Sequence, residues 1–248
     1  MKILHLSDLH LTKEGQEIWE TDTFAHFNKT IDLIKSIDNV DVIVVTGDLS
    51  NDGSEWTYKY IDHAFESLSI PTLCCPGNHD SMSMMLKDYI PSFYKVNQKV
   101  VIGGYKFLML NSVIHDDEDP NTNKSRGLLS QETLKYVEEE INDGLPTIIA
   151  FHHPPLEPGG WLNRKLLDNR DEFNNLIHDA DNVKLVLYGH IHYPTQNSIN
   201  GTMYVSAPSI GFAFDKDLPK FQIAQNHEGF NIINVSDGEI EIEKILLY

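Results

Sequence analysis

The chain has 248 residues, 37 Asp and Glu against 19 Lys and Arg, and a formal net charge of −18. Nucleic acids and anionic membrane surfaces are bound by surplus Lys and Arg, so this balance counts against both as partners. A hydrophobic share of 41% with 23% charged residues indicates a packed core and excludes a disordered chain.

Apolar runs at 3–6, 42–46, 72–75, 107–110, 147–151 and 184–188 are short and continuous, as strands buried on both faces are. Between the first two runs, Phe24, Phe27, Ile31, Ile34 and Ile37 share one helical face; between the next two, Trp56, Tyr60, Ala64, Phe65 and Leu68 do the same. Ser130 caps a third helix with the stripe Leu134, Val137 and Ile141, which Gly144 and Pro146 end. A weaker helix covers 168–177. Strand patterns return at 203–206, 230–235 and 239–247, and Asp237-Gly238 turns the last two into a hairpin. This alternation predicts an α/β chain, and with no repeat or linker dividing 1–248, one domain is expected.

Cys74 and Cys75 are adjacent, a spacing that disulfide geometry disfavours, which fits a reducing compartment. The N-terminal apolar run is too short for a signal peptide, and no run approaches the roughly 20 apolar residues of a membrane span. A cytoplasmic protein is expected. Oligomeric state is not legible, and a homodimer stays open.

Twelve histidines are the most informative count, because imidazole serves both as metal ligand and as acid–base group. The chemistry follows the strands: Asp8-Leu9-His10, Gly47-Asp48, Gly77-Asn78-His79-Asp80, His152-His153-Pro154 and Gly189-His190-Ile191-His192. Open α/β sheets place their sites at the carboxyl ends of strands, so these blocks are expected to converge. Asp8, His10, Asp48, Asn78, His152, His190 and His192 offer oxygen and imidazole ligands without cysteine, more than one tetrahedral zinc needs. They suit two ions of the manganese, iron or zinc kind with a bridging carboxylate. On an extended segment Asp8 and His10, and likewise His190 and His192, would point to the same side. The glycines before Asp48, Asn78 and His190 permit tight turns and close backbone approach.

These blocks resemble the pattern of the calcineurin-like metallophosphoesterases: Asp-x-His, Gly-Asp, Gly-Asn-His, His and Gly-His-x-His, in that order over essentially the whole chain. The resemblance implies a four-layer α-β-β-α sandwich of two mixed sheets flanked by helices. It also implies two divalent ions, iron or manganese first and zinc second. Asp8, His10 and His192 would hold one ion, Asn78, His152 and His190 the other, with Asp48 bridging. Within the family, Gly77-Asn78-His79-Asp80, Gly127-Leu128-Leu129-Ser130, His152-His153-Pro154-Pro155 and Ala207-Pro208-Ser209 are similar to the bacterial class III cyclic nucleotide phosphodiesterases. The implied reaction is attack of a metal-held hydroxide on a small phosphodiester, cyclic AMP first. His79 would stabilise the phosphorane or protonate the leaving oxygen, and Asp80 would orient His79. A broad glycerophosphodiesterase, and a metal-dead scaffold that binds proteins, are the alternatives.

Around the blocks, His153 reads as support or packing, Asn51 as a substrate contact or a turn, and Asn111 has no assigned role. His5, His26, His63, His115, His178 and His227 read as structural, and 116–119 as a solvated acidic loop. The long loops 156–167 and 209–226 carry Trp161, Phe212, Phe214 and Phe221, which would either stack on a nucleobase or staple the loops down.

Overall fold

The structure is a computed structural model that describes residues 1–85, 98–114, 125–236 and 238–248; His115, the acidic run 116–119 and Asp237 of the expected hairpin turn lie outside them. In chain order come β1 (Lys2–Leu6), α1 (Thr23–Ile34), β2 (Val42–Thr46), α2 (Glu55–Leu68), β3 (Thr72–Cys75), α3 (Met82–Met85), β4 (Gln98–Ile102) and β5 (Tyr105–Met109). They are followed by α4 (Gln131–Glu140), β6 (Thr147–Ala150), α5 (Arg170–Ile177), β7 (Val183–Tyr188), β8 (Thr195–Ile199) and β9 (Thr202–Ser206). Two short strands, β10 (Ala213–Phe214) and β11 (Ile223–Ala224), precede the long β12 (Gly229–Ser236) and β13 (Glu239–Leu246).

The long strands form two mixed sheets, in the orders β13-β12-β1-β2-β3 and β4-β5-β6-β7-β9-β8. In the first, β1, β2 and β3 are parallel and β12 runs antiparallel to β1. In the second, β5, β6, β7 and β9 are parallel, with antiparallel strands at both edges. Alternate residues point to opposite faces, which explains the unbroken apolar runs. Ile3, Val42 and Val44 meet Phe107, Ile148 and Leu187 between the sheets. Leu4, Leu6, Ile43 and Val45 face Phe27, Ile31, Tyr58 and Phe65 of α1 and α2. Leu108, Ile149 and Val186 face Leu134, Val137, Phe173 and Ile177 of α4 and α5. Each such buried side chain stabilises the fold by about 1.5–3 kcal/mol. The result is the expected four-layer α-β-β-α sandwich.

Helix starts follow their caps. The side chains of Asp22, Ser54 and Ser130 accept from the backbone N–H three residues on, closing the first turns of α1, α2 and α4. The weak helix expected from 168 begins at Arg170, and the stripe to Ile37 leaves the helix after Ile34, where Ile37 N–H turns back to the Ile34 carbonyl at 3.0 Å. Among the described residues, the strands without a sequence signal are β4 and β8, which sit at the two edges of the second sheet, and the two-residue strands β10 and β11.

Candidate metal centre

The loops after β1, β2 and β3 bring Asp8, His10, Asp48 and Asn78 from the first sheet, and those after β6 and β7 bring His152, His190 and His192 from the second. All seven side chains are buried. Asp8, His10, Asp48 and His192 form one group, and Asp48, His152 and His190 a second, each with ligand atoms within 4.8 Å of one another. Asn78 joins the second through Oδ1, 3.1 Å from His152 Nε2. Asp48 Oδ2 stands between the two groups, 3.3 Å from His10 Nε2 and 3.4 Å from His152 Nε2.

Close approach, rather than an extended backbone, brings these side chains together. Asp8, His10, Asp48, His190 and His192 all have positive φ, from 42 to 70°, so the pairs Asp8/His10 and His190/His192 do not share a side by strand alternation as expected. Left-handed backbone at Asp and His costs on the order of 1–3 kcal/mol per residue and persists only where the surroundings enforce it. Here Asp8 N–H donates to Gly47 O at 3.0 Å, His10 N–H to Asp48 O at 2.9 Å, and His190 N–H to the Asp8 carboxylate at 3.0 Å. The glycine requirement is partly one of space. A Cβ on Gly77 would overlap Asp48, and one on Gly189 would overlap Ser7 Oγ and lie 2.8 Å from Asp8 Oδ2.

Hydrogen bonds behind the rings aim their nitrogens. His192 Nδ1 donates to Phe212 O at 2.6 Å and His10 Nδ1 to Asn51 Oδ1 at 3.3 Å, leaving both Nε2 atoms as lone pairs 3.2 Å apart. His192 Nε2 also lies 3.2 Å from Asp8 Oδ1. Four acceptors therefore converge with no hydrogen between them, an arrangement that a cation satisfies. In the second group His152 Nδ1 donates to Thr46 O at 2.7 Å and His190 Nε2 to Ser125 O at 3.0 Å. His190 Nδ1 and Asn78 Oδ1 each lie 3.1 Å from His152 Nε2, and Asp48 Oδ2 is the third acceptor there. One N–H cannot serve three acceptors, whereas a metal ion at their centre could. Oxygen and imidazole donors of this kind suit first-row divalent ions.

The charge environment agrees. Burial holds His10 near 3 and pushes His190 well below the usual imidazole range, so both present lone pairs. Burial opposes a charge on His152 too, yet Asp48 and Asp8 raise it to about 9, so the site favours a cation at that nitrogen. Burial would raise Asp8, but His192 and His152 bring it to about 2.

His79 is exposed, its ring 4.7 Å from that of His10, while its backbone N–H donates to Asp48 Oδ1 at 2.8 Å. Asp80 departs from its expected role. Its buried carboxylate accepts from the N–H groups of Leu49, Ser50 and Gly77 and from the Tyr58 hydroxyl, and no hydrogen bond joins it to His79 among the described residues. It ties the loops that carry Asp48 and Asn78. Asn51 buttresses His10, and Asn111 closes a local turn by accepting from Val113 N–H at 2.8 Å. His153 is buried with Nδ1 2.8 Å from Ser112 Oγ, its ring 4.6 Å from His190. His26 is structural, between Gly211 O and the Tyr248 hydroxyl.

The aromatic loops reach this site. Phe214 stacks on His192 at 4.2 Å, Phe212 lies 4.7 Å from His10, and Phe221 and Trp161 pack on Phe214. Two rim residues lack a sequence signal. Trp19 has φ 49°, is 54% exposed, and meets Phe212 and Phe221 edge-on. Lys165 lies over the Phe214 ring, 5.5 Å from its centroid.

Residues 1–194 match the family described as calcineurin-like phosphoesterases. The chain is 31% identical, over 96% of its length and 89% of the relative's, to a 3',5'-cyclic-nucleotide phosphodiesterase of Nostoc sp.. It is 29% identical, over 98% of its length and 89% of the relative's, to the 3',5'-cyclic adenosine monophosphate phosphodiesterase CpdA of Haemophilus influenzae. Its fold is similar to that of a dimetal phosphatase from Danio rerio, with a TM-score of 0.74 at 10% identity over 100% of this chain and 96% of that one.

Proposed function

The chain belongs to the calcineurin-like phosphoesterases, and from that premise we propose that it hydrolyses a small phosphodiester, 3',5'-cyclic AMP first, at a dinuclear centre. The observation that carries the reading is the shared carboxylate: Asp48 Oδ2 stands 3.3 and 3.4 Å from a histidine nitrogen of each group. In this proposal Asp8, His10 and His192 hold one ion, Asn78, His152 and His190 the other, and Asp48 both, with manganese or iron preferred. Two divalent ions supply a water nucleophile acidified towards neutral pH and charge neutralisation on the phosphoryl oxygens. The chain's own residues orient and exclude. Thr46 O, Ser125 O and Phe212 O fix three imidazoles from behind. The exposed His79, above His10, delivers a proton to the leaving oxygen.

The nucleotide preference is supported by the named activities of the relatives and by the rim of Trp19, Phe221 and Trp161, whose faces suit a purine. Buried, unbridged Cys74 and Cys75 support a cytoplasmic setting. Among the described residues, no helix is long and apolar enough to cross a membrane. Hydrolysis of cyclic AMP, cyclic GMP, bis-p-nitrophenyl phosphate and glycerophosphocholine with added manganese tests the proposal. Turnover of cyclic AMP above the others is expected. Activity on the artificial diester and glycerophosphocholine without cyclic AMP turnover would make the protein a broad diesterase instead.

A further inference from the structure

Lys165 stands at the rim of the site as a cation without a carboxylate partner among the described residues. Lys35, Lys59, Lys99, Lys106, Lys135, Lys216, Arg126 and Arg170 each have a carboxylate within 4.0 Å. Lys165 is half-buried, and no carboxylate lies within that reach of its ammonium among the described residues. Lys2 and Lys184 are half-buried and likewise lack a carboxylate, but they donate to the carbonyls of Asp38 and Asp181, whereas no hydrogen bond engages the Lys165 ammonium among the described residues.

Its position is built. The 3-10 turn Gly160–Arg164 precedes it, and its backbone N–H closes that turn on Leu162 O at 3.0 Å. Leu162, Leu166 and Leu167 anchor the segment in the core on either side. The ammonium lies 5.5 Å from the centre of the Phe214 ring, which also stacks on His192 at 4.2 Å. The carboxylates that act on its charge are Asp48 and Asp8 of the candidate metal centre. Its charge is felt at His190 and His153, while burial pulls its own pKa down and Asp48 and Asp8 hold it up. A lysine ammonium with a fixed base and a long, adjustable stem is a common binder of phosphate oxygens.

We propose that Lys165 is a phosphate-binding arm of the active site, its ammonium donating to a non-bridging oxygen of the substrate's phosphoryl group from the Phe214 side. The inference rests on the phosphodiesterase reading and adds to it a charge contact made by the protein itself. The phosphoryl group gains negative charge on its non-bridging oxygens during displacement, so the same contact serves binding and turnover.

Lys165→Met keeps the stem and removes the charge. In the manganese-loaded protein, calorimetry with inorganic phosphate is expected to show binding weakened about 10- to 100-fold, with a similar fall in kcat/KM for bis-p-nitrophenyl phosphate. Metal content and Tm are expected to be unchanged, and Lys165→Arg to recover part of the loss. Phosphate binding and kcat/KM within about twofold of wild type would overturn the assignment. Equal losses in the Met and Arg variants together with lost metal would overturn it too, by making Lys165 a packing residue. If the Met variant does not fold, Lys165→Gln is read the same way. The two proposals fail separately: absent cyclic AMP turnover with Lys165-dependent phosphate binding defeats only the substrate preference.

Discussion

His79 and Asp80 are neighbours in the chain with different surroundings. His79 projects over His10 into solvent, whereas Asp80 is buried beneath the loops and spends its oxygens on three N–H groups and the Tyr58 hydroxyl. His79→Ala is therefore expected to lower kcat by about 10²- to 10⁴-fold with metal content and Tm intact. Loss of metal in step with activity would make His79 structural. Asp80→Asn turns an amide against backbone donors, and is expected to destabilise by about 1–3 kcal/mol and weaken metal binding, because Asp48 and Asn78 ride on the loops it joins. A variant that lost only kcat, with Tm unchanged, would restore the orienting role implied by the resemblance. The sequence shows Asp80 in the right block but not the direction of its carboxylate. That direction depends on Leu49 and Ser50, about thirty residues away in the chain.

At the scale of elements, strands buried on both faces were legible because apolar residues dominate them on both faces. β4 and β8 were not, since edge strands expose one side and carry Gln98, Lys99, Gln196 and Asn197. The turn at Trp19 and Glu20 was silent for a different reason. Ile18 and Thr21 exchange backbone hydrogen bonds of 3.0 and 2.9 Å around two residues of positive φ, a geometry that prefers Asn-Gly. A tryptophan held there costs about 1–2 kcal/mol in backbone strain. Replacing the pair by Asn-Gly is expected to raise Tm by a few degrees while raising KM for cyclic AMP and leaving bis-p-nitrophenyl phosphate unaffected. An unchanged KM for cyclic AMP, measured by initial rates, would remove Trp19 from the substrate rim.

For the whole molecule, the decisive quantity is charge gathered at one place. Burying Asp8, Asp48 and four histidines around two points costs free energy that bound cations would return. Chelation is expected to lower Tm by roughly 10 °C, and manganese to restore it, if the ions bind the folded chain with saturation near a thousandfold. A melting curve indifferent to chelator and manganese would argue against a metal centre. With two divalent ions the cleft gains four positive charges while the surface keeps its acids, which suits a small anion better than a polymer. The sequence by itself determined the alternation of strands and helices and the candidate donor set, because apolar periodicity and ligand chemistry are local properties of residue type; the four layers were implied by the family resemblance. The sequence also named the residues at the strand ends. Only the tertiary structure decided the rest: how Asp48 lies between two histidine groups, that five of the candidate ligands sit on left-handed backbone, that Asp80 ties loops, and that Trp19 and Lys165 stand at the rim. Those facts depend on atoms brought together from distant segments by the packing of two sheets, and no spacing along the chain encodes them.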